Sequence, residues 1–234
     1  MARPLLLLAS ESPQRAAILR RLGIPFVARP TDVTELTDGP PVEVARENAL
    51  RKAHAAREIT QHPFLGAVGG PHADPRGPAH VPAQPAAHVP PAPPSKARAG
   101  GEPPGPAPEL VLGCDTLVAL RGVIYGKPPE EAAARATLEA LSGATHEVIS
   151  GLALLGPGAL ERVAVARTRV SFRELSADLL HWYLSSGEWR GRAGGYAIQG
   201  AGAALVREIE GDYENVVGLP VAALLDLAPE LIAS

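Results

Sequence analysis

Sulfur and aromatic residues are scarce in this chain: of 234 residues, one is cysteine, one is methionine, and 4% are aromatic. A single cysteine, Cys114, excludes an internal disulfide framework and fits a reducing compartment, so a cytoplasmic protein is expected. The N-terminal leucine run, Leu5 to Leu8, falls far short of the roughly 20 apolar residues that a membrane span needs. It also lacks the basic start and long apolar stretch of a signal peptide, so neither membrane insertion nor export is expected. Positive charge is not in excess: 22 Lys and Arg stand against 25 Asp and Glu, a formal net charge of -3. Such a chain has no general electrostatic footprint for DNA or RNA, and any polyanion must be held locally. Trp182 and Tyr183, in a helix expected over 177–185, read as packing residues rather than a stacking platform for bases.

What is present is enough for a substantial core: 46% of the residues are hydrophobic and 20% charged, with room for two lobes. The most informative segment is the first. Leucines 5–8 suit a short buried strand, and Ser12-Pro13 is a helix start with Ser at the N-cap and Pro at the first helical position. A strand ending at a helix N-terminus beside Arg15 is an anion site in outline. Such turns are more often merely structural, with Arg15 a solvated first-turn residue.

Downstream, Ile18, Leu19 and Leu22 share one helical face, Gly23 closes that helix, and a short strand follows near 25–28. A second amphipathic helix is expected from Pro41 to about Thr60. Over residues 62–108 the composition shifts to Pro, Gly, Ala and His without hydrophobic period. Such a segment cannot bury enough apolar surface to offset its ordering entropy, so a disordered or polyproline-like excursion is expected. A two-domain boundary is the alternative. His62, His72, His80 and His88 lie in it without Cys or acidic partners at ligand spacing, and read as solvated linker.

Order resumes with an apolar strand over 110–120 that carries Asp115 at its middle. A carboxylate there is costly to bury unpaired, so it must be paired, neutralised or placed at a metal or substrate. Cys114 beside it reads as a small core residue. Arg121-Gly122 reads as a hairpin turn, Gly126-Lys127-Pro128 as a strand end presenting a lysine, and Pro129 as a helix start. Two strands, 149–155 and 160–172, are joined by Gly156-Pro157-Gly158. From Gly194 to Pro220 glycine is dense, which suits close backbone approach to a ligand, and Pro220 opens the last helix. No Walker loop or dinucleotide fingerprint occurs.

Taken in order, LLLASESPQR with LGIPF, ELTDG, ENALRKA, GCDTLV, GKPPEEA, LSGATHEV, AGGYAIQGAGA and IEGDYENVVGLP resemble the Maf or septum-formation-inhibitor-like nucleoside triphosphate pyrophosphatases. That family is related to the inosine triphosphate pyrophosphatases, and the resemblance covers nearly the whole chain except 62–108. It implies an α/β fold with a mixed twisted sheet flanked by helices, in two lobes around a central cleft. One domain would then comprise 1–61 and 109–234, with 62–108 as an insertion.

The implied reaction is hydrolysis of dTTP, UTP or a related pyrimidine triphosphate to the monophosphate and pyrophosphate. Asp115 matches the family's proton acceptor, and Glu35, Lys52 and Lys127 match further catalytic positions. Ser10, Ser12 and Arg15 match phosphate-binding positions, and Gln14, Thr116 and Gln199 match those near which base choice is set. A divalent cation, Mg²⁺ or Mn²⁺, would be held by Glu35 and Asp115. The expected partners are the triphosphate and a second copy of the chain in a homodimer, with no nucleic acid and no membrane. Gln14 departs from the usual Arg of the dTTP/UTP branch. Gly191-Arg192 and Ser150 depart from Asp-Lys and Thr, and read as peripheral. The other class of function that the resemblance leaves open is a non-catalytic nucleotide-binding regulator of cell division.

Overall fold

The computed structural model describes residues 4–61 and 108–232; the expected insertion therefore lies outside the described residues, apart from Pro108. In chain order the regular elements are β1 (Leu6–Ala9), α1 (Pro13–Arg21), β2 (Phe26–Ala28), α2 (Pro41–Gln61), β3 (Leu110–Leu120), β4 (Val123–Tyr125), α3 (Glu131–Leu141), β5 (Thr145–Leu155), β6 (Glu161–Phe172), α4 (Ala177–Ser186), β7 (Val206–Glu210), α5 (Tyr213–Val217) and α6 (Val221–Leu227). The seven strands form one mixed sheet in the order β2-β1-β3-β5-β6-β7, with β4 paired to β3. β1 runs parallel to both β2 and β3, and the remaining pairs are antiparallel. This is the mixed α/β architecture expected.

β1 is buried on both faces, which is why it reads as a continuous leucine run rather than an alternation. Leu6 and Leu8 pack with Ile18 and Leu19 of α1, while Leu7 and Ala9 pack on the other face against Ala49 and Ala53 of α2. β3 and β5 are long enough to serve two apolar clusters. Their Leu112, Cys114, Leu152 and Leu154 join the α1 and α6 cluster, and Val118 and Val148 join the cluster built by α3 and α4. Asp115 and Thr116 fall at the seam between the two.

Helix α2 lies unusually close to the sheet. Its contact face is Ala45, Ala49, Ala53 and Ala56, all fully buried, and it rides over Gly113 and Gly151. A Cβ on Gly113 would sit 2.1 Å from the Ala49 carbonyl oxygen, and one on Gly151 2.1 Å from that of Ala45. Gly151 is the register partner of Asp115, so this approach sets the distance between α2 and the carboxylate. Gly151→Ala is accordingly expected to cost about 1–3 kcal/mol by overpacking. It should also lift the helix from Asp115. A thermal melt reads the first effect, and an unchanged melting temperature would contradict the packing argument.

Several expectations shift in detail. The third helix begins at Glu131 with Glu130 as its N-cap, not at Pro129, because two consecutive prolines hold the chain extended before it. The glycine-dense segment contains a strand and a short helix, β7 and α5. Five-residue elements carry too little periodicity to be read from sequence.

Candidate active site

The β1–α1 turn forms as the sequence implies. Ser12 caps α1, its Oγ accepting the Arg15 N–H at 3.4 Å, with Pro13 in the first turn. The Ser12 N–H donates to Ser10 Oγ at 3.2 Å, and Ser12 Oγ donates to Gln14 Oε1 at 3.1 Å. Arg15 is not solvated: it is buried. Its Nε donates to the Gly218 carbonyl at 2.8 Å, Nη1 to Ser10 Oγ at 2.9 Å, and Nη2 to Thr116 Oγ1 at 3.2 Å. All of these partners are neutral, so the guanidinium charge is fixed in place without being cancelled.

Asp115 is 6% exposed and held from two sides by α2. Lys52 Nζ lies 2.6 Å from its Oδ1, and Asn48 Nδ2 donates to its Oδ2 at 3.0 Å. The same lysine reaches Glu35 Oε1 at 2.5 Å. Asn48, itself buried, also brackets Leu36 by accepting its N–H at 2.8 Å and donating to its carbonyl at 3.0 Å. One amide thus ties the loop carrying Glu35 to the strand carrying Asp115. Asn48 was missed in the sequence, although a signal existed: on a helix face of alanines, Asn48 and Lys52 sit four residues apart as its polar members.

The remaining expected residues line an open cavity of ≈ 470 Å³ that includes Ser10, Arg15, Lys127 and Gln199 in its wall. A smaller one of ≈ 310 Å³ adjoins it at Lys52, Thr116 and Lys127, and is lined by Asp115 and Asn48. Gln14, Ser12 and Glu35 also face the larger cavity, so all ten expected positions converge. Lys127 is exposed, and the Gly126 carbonyl next to it accepts the Gly194 N–H at 3.1 Å, which anchors the lysine's loop. In the larger cavity's wall five cationic side chains, Arg15, Lys52, Lys127, Arg190 and Arg192, face two carboxylates, Glu11 and Glu35. An acidic chain thus holds a locally cationic cleft, the arrangement a polyanion requires.

Three residues expected to be peripheral are not. Ser150 is fully buried, and its Oγ lies 2.8 Å from Thr116 Oγ1, fixing that hydroxyl. Gly191 and Arg192 line the larger cavity. The Gly218 carbonyl is a further hub that sequence could not show, since a backbone acceptor has no residue signature. It takes Arg15 Nε, Thr116 Oγ1 at 3.3 Å and the Cys114 thiol at 3.5 Å. Cys114 is the buried core residue expected, and burial pushes its thiol above the usual range.

Behind the cleft wall, Tyr196 Oη lies 2.9 Å from His146 Nε2, and both rings stack edge-on with Phe172. His146 is 1% exposed, and burial lowers its pKa from 6.5 to about 4. Between those values the unfolded chain binds a proton that the folded chain does not. This contribution is therefore complete above pH 6.5 and is lost as the pH falls to about 4, by about 3 kcal/mol in total. Urea unfolding of His146→Gln should show a flatter decline over that window than the unaltered chain. Identical slopes would refute the assignment.

Fold and cleft together define an α/β protein that sets a buried, lysine-paired carboxylate beside a cationic cavity. The chain belongs to the Maf-like protein family, whose pattern it matches over residues 5–231. It is 40% identical over 223 residues to the dTTP/UTP pyrophosphatase of Moorella thermoacetica, covering 95% of this chain and 92% of that protein. With the dTTP/UTP pyrophosphatase of Deinococcus radiodurans it shares 34% identity over 227 residues, 96% of this chain and 91% of that one. A shorter, closer match is to the dTTP/UTP pyrophosphatase of Pyrococcus furiosus, 50% identical over 120 residues, which span 51% of this chain and 62% of that protein. Among solved structures it is similar to the nucleoside-triphosphatase / dITP/XTP pyrophosphatase from Mycobacterium abscessus, with a TM-score of 0.38 and 20% identity over 72% of this chain and 74% of that one.

Proposed function

We propose that this chain hydrolyses pyrimidine nucleoside triphosphates, dTTP and UTP, to the nucleoside monophosphate and pyrophosphate. The observation that carries the reading is Asp115: a buried carboxylate, oriented by Lys52 and Asn48, at the edge of a net cationic cleft. The names of the full-length relatives point the same way.

In this reading Asp115 takes the proton from a water as that water's oxygen bonds to the α-phosphorus. The bond from the α-phosphorus to the bridging oxygen breaks, and the pyrophosphate leaves with the electron pair. Ser10, Ser12 and Arg15 hold phosphate oxygens at the helix N-terminus, and Lys127 reaches in from the opposite loop. Because Arg15 is already locked to neutral partners, no reorganisation is needed when charge builds on the phosphates. Thr116, Gln199 and Gln14 face the nucleoside. Glu35 and Lys52 hold the proton acceptor's surroundings in register.

Among the described residues no group of three His, Cys, Asp or Glu side chains is poised to hold a metal. Glu35 and Asp115 share Lys52. One or two carboxylates with substrate oxygens is the donor set that Mg²⁺ accepts, so the residues fit a hard cation delivered with the triphosphate. Glu35 and Asp115 would hold it, and it would supply Lewis-acid neutralisation of phosphate charge.

Residues 62–108 form, in this proposal, an insertion into a single domain of 1–61 and 109–234. A cytoplasmic homodimer as the working form belongs to the same proposal. The test is pyrophosphate release from a panel of canonical and modified triphosphates with Mg²⁺ or Mn²⁺. Release from dTTP and UTP is expected. Binding without release from any of them would overturn the enzyme in favour of a nucleotide-binding regulator.

A further inference from the structure

The two cavities divide the site's residues unequally. Asp115 and Asn48 line the smaller and not the larger, whereas Ser10, Ser12 and Gln14 line the larger and not the smaller. Arg15, Lys52, Thr116 and Lys127 line both and mark the junction. Asp115 engages Lys52 through Oδ1 and Asn48 through Oδ2, so each carboxylate oxygen keeps a second acceptor position. In the reaction proposed above, the attacking oxygen must come within hydrogen-bond reach of Asp115. Attack and departure lie roughly in line across the α-phosphorus. The nucleophile therefore belongs in the smaller cavity, and the pyrophosphate, opposite it, in the larger one beside the β1–α1 turn.

The nucleophile's cavity is larger than a water needs. It holds ≈ 310 Å³, about ten times the roughly 30 Å³ of one water. Nor is it polar throughout: beside Asp115, Asn48 and Lys52 its wall is made by Leu36, Val44, Leu117 and Ile124. Val44 and Leu117 are buried members of one apolar cluster, and Ile124 packs against it. Leu36, whose backbone Asn48 pins at both its N–H and its carbonyl, is 37% exposed. A carboxylate next to an apolar wall suits a small alcohol, since it offers an acceptor for the hydroxyl proton and a dry surface for the carbon chain.

We propose that the smaller cavity is an acceptor site that seats a short primary alcohol in place of the attacking water, so that the chain also transfers the nucleotidyl group to alcohols. The proposal rests on the hydrolysis reading, which supplies the triphosphate and the base, and it adds a second class of substrate at the same site. The alcohol oxygen bonds to the α-phosphorus as Asp115 takes the hydroxyl proton. The bond from the α-phosphorus to the bridging oxygen breaks, and pyrophosphate leaves with the electron pair. The products are pyrophosphate and the alkyl ester of the nucleoside monophosphate, and the proton passes from Asp115 to solvent.

The test follows the fate of UTP. The full chain is incubated with UTP and Mg²⁺ in methanol, ethanol, 1-propanol or 1-butanol, each at one concentration low enough to leave the melting temperature unchanged. Pyrophosphate, UMP and its alkyl ester are then quantified by mass spectrometry. The ester-to-UMP ratio should grow by about three- to fourfold per added CH₂ along the series, the gain from burying a methylene. Attack by alcohol from bulk solvent has no such dependence. Ile124→Trp, which fills the apolar wall, should lower the ratio for 1-butanol about 10-fold or more and leave pyrophosphate release in water within about threefold. A ratio flat or falling along the series, a ratio unmoved by Ile124→Trp, or UMP as the only nucleotide product overturns the acceptor site and leaves hydrolysis standing. The series needs no variant to fold. No pyrophosphate from UTP, with alcohol or without, overturns the hydrolysis reading and this one with it.

Discussion

Asp115→Asn is expected to reduce turnover of UTP by about 10²–10⁴-fold, the range that positioned general bases supply, with nucleotide binding altered far less. The substitution keeps shape and volume but removes the function that the proposed step demands of this residue, acceptance of a proton. Its surroundings predict the structural outcome as well. Lys52 retains Glu35 at 2.5 Å as its counter-charge, so the lysine is not stranded. Asn48 is already committed to Leu36 through Oδ1 and one Nδ2 hydrogen, so its other N–H faces the new side chain, which can accept from Asn48 or from Lys52 but not from both as strongly as a carboxylate does. A modest loss of stability with intact fold follows. Single-turnover pyrophosphate release and nucleotide titration on the same preparation separate the two effects. Undiminished turnover would remove Asp115 from the chemistry and leave it a structural ion-pair residue.

That prediction depends on a carboxylate legible in the sequence and on partners that were only partly so. Asp115 stood out because a charge in the middle of an apolar strand must be explained. The Ser12-Pro13 helix start was legible because capping chemistry is local, and the strand over 110–120 because its apolar run is long. Lys52 and Glu35 were found by resemblance rather than by pattern: they lie 17 positions apart on a helix and a loop, and only the approach of α2 to β3 brings Glu35 and Asp115 onto the one Lys52 ammonium. That approach was encoded in Gly113 and Gly151, but a glycine in a strand does not say which backbone comes near. The Gly218 carbonyl and the Ser150 hydroxyl escaped for a related reason. A backbone acceptor and a small buried hydroxyl acquire a role only from what the fold sets opposite them. Gly191-Arg192 was read as peripheral because it departs from the family's usual Asp-Lys, and a loop residue shows its place in a cavity wall only once the chain is folded.

Lys52→Met tests the other half of the arrangement and is expected to be the most damaging single change for the fold. The residue is 9% exposed and its ammonium joins two carboxylates at 2.5 and 2.6 Å. Removing it strips Asp115 of its charged partner and leaves it with the Asn48 amide alone, the situation in which breaking a buried pair costs about 3–5 kcal/mol. Glu35 suffers less, because 42% of its side chain is exposed and water can replace the lysine. The two carboxylates then also lose the positive charge between them, so the loop at Glu35 and Leu36 is held to β3 only through Asn48. Denaturant unfolding should show the stability loss, and turnover should fall at least 10²-fold even at temperatures where the variant remains folded. Lys52→Arg distinguishes charge from geometry. A guanidinium keeps the charge but is planar and larger than the ammonium that fits between the two oxygens, so it should recover most of the stability and little of the turnover. Full recovery of both would mean that the site needs only a cation there, and that the 2.5 and 2.6 Å contacts are not what orients the proton acceptor.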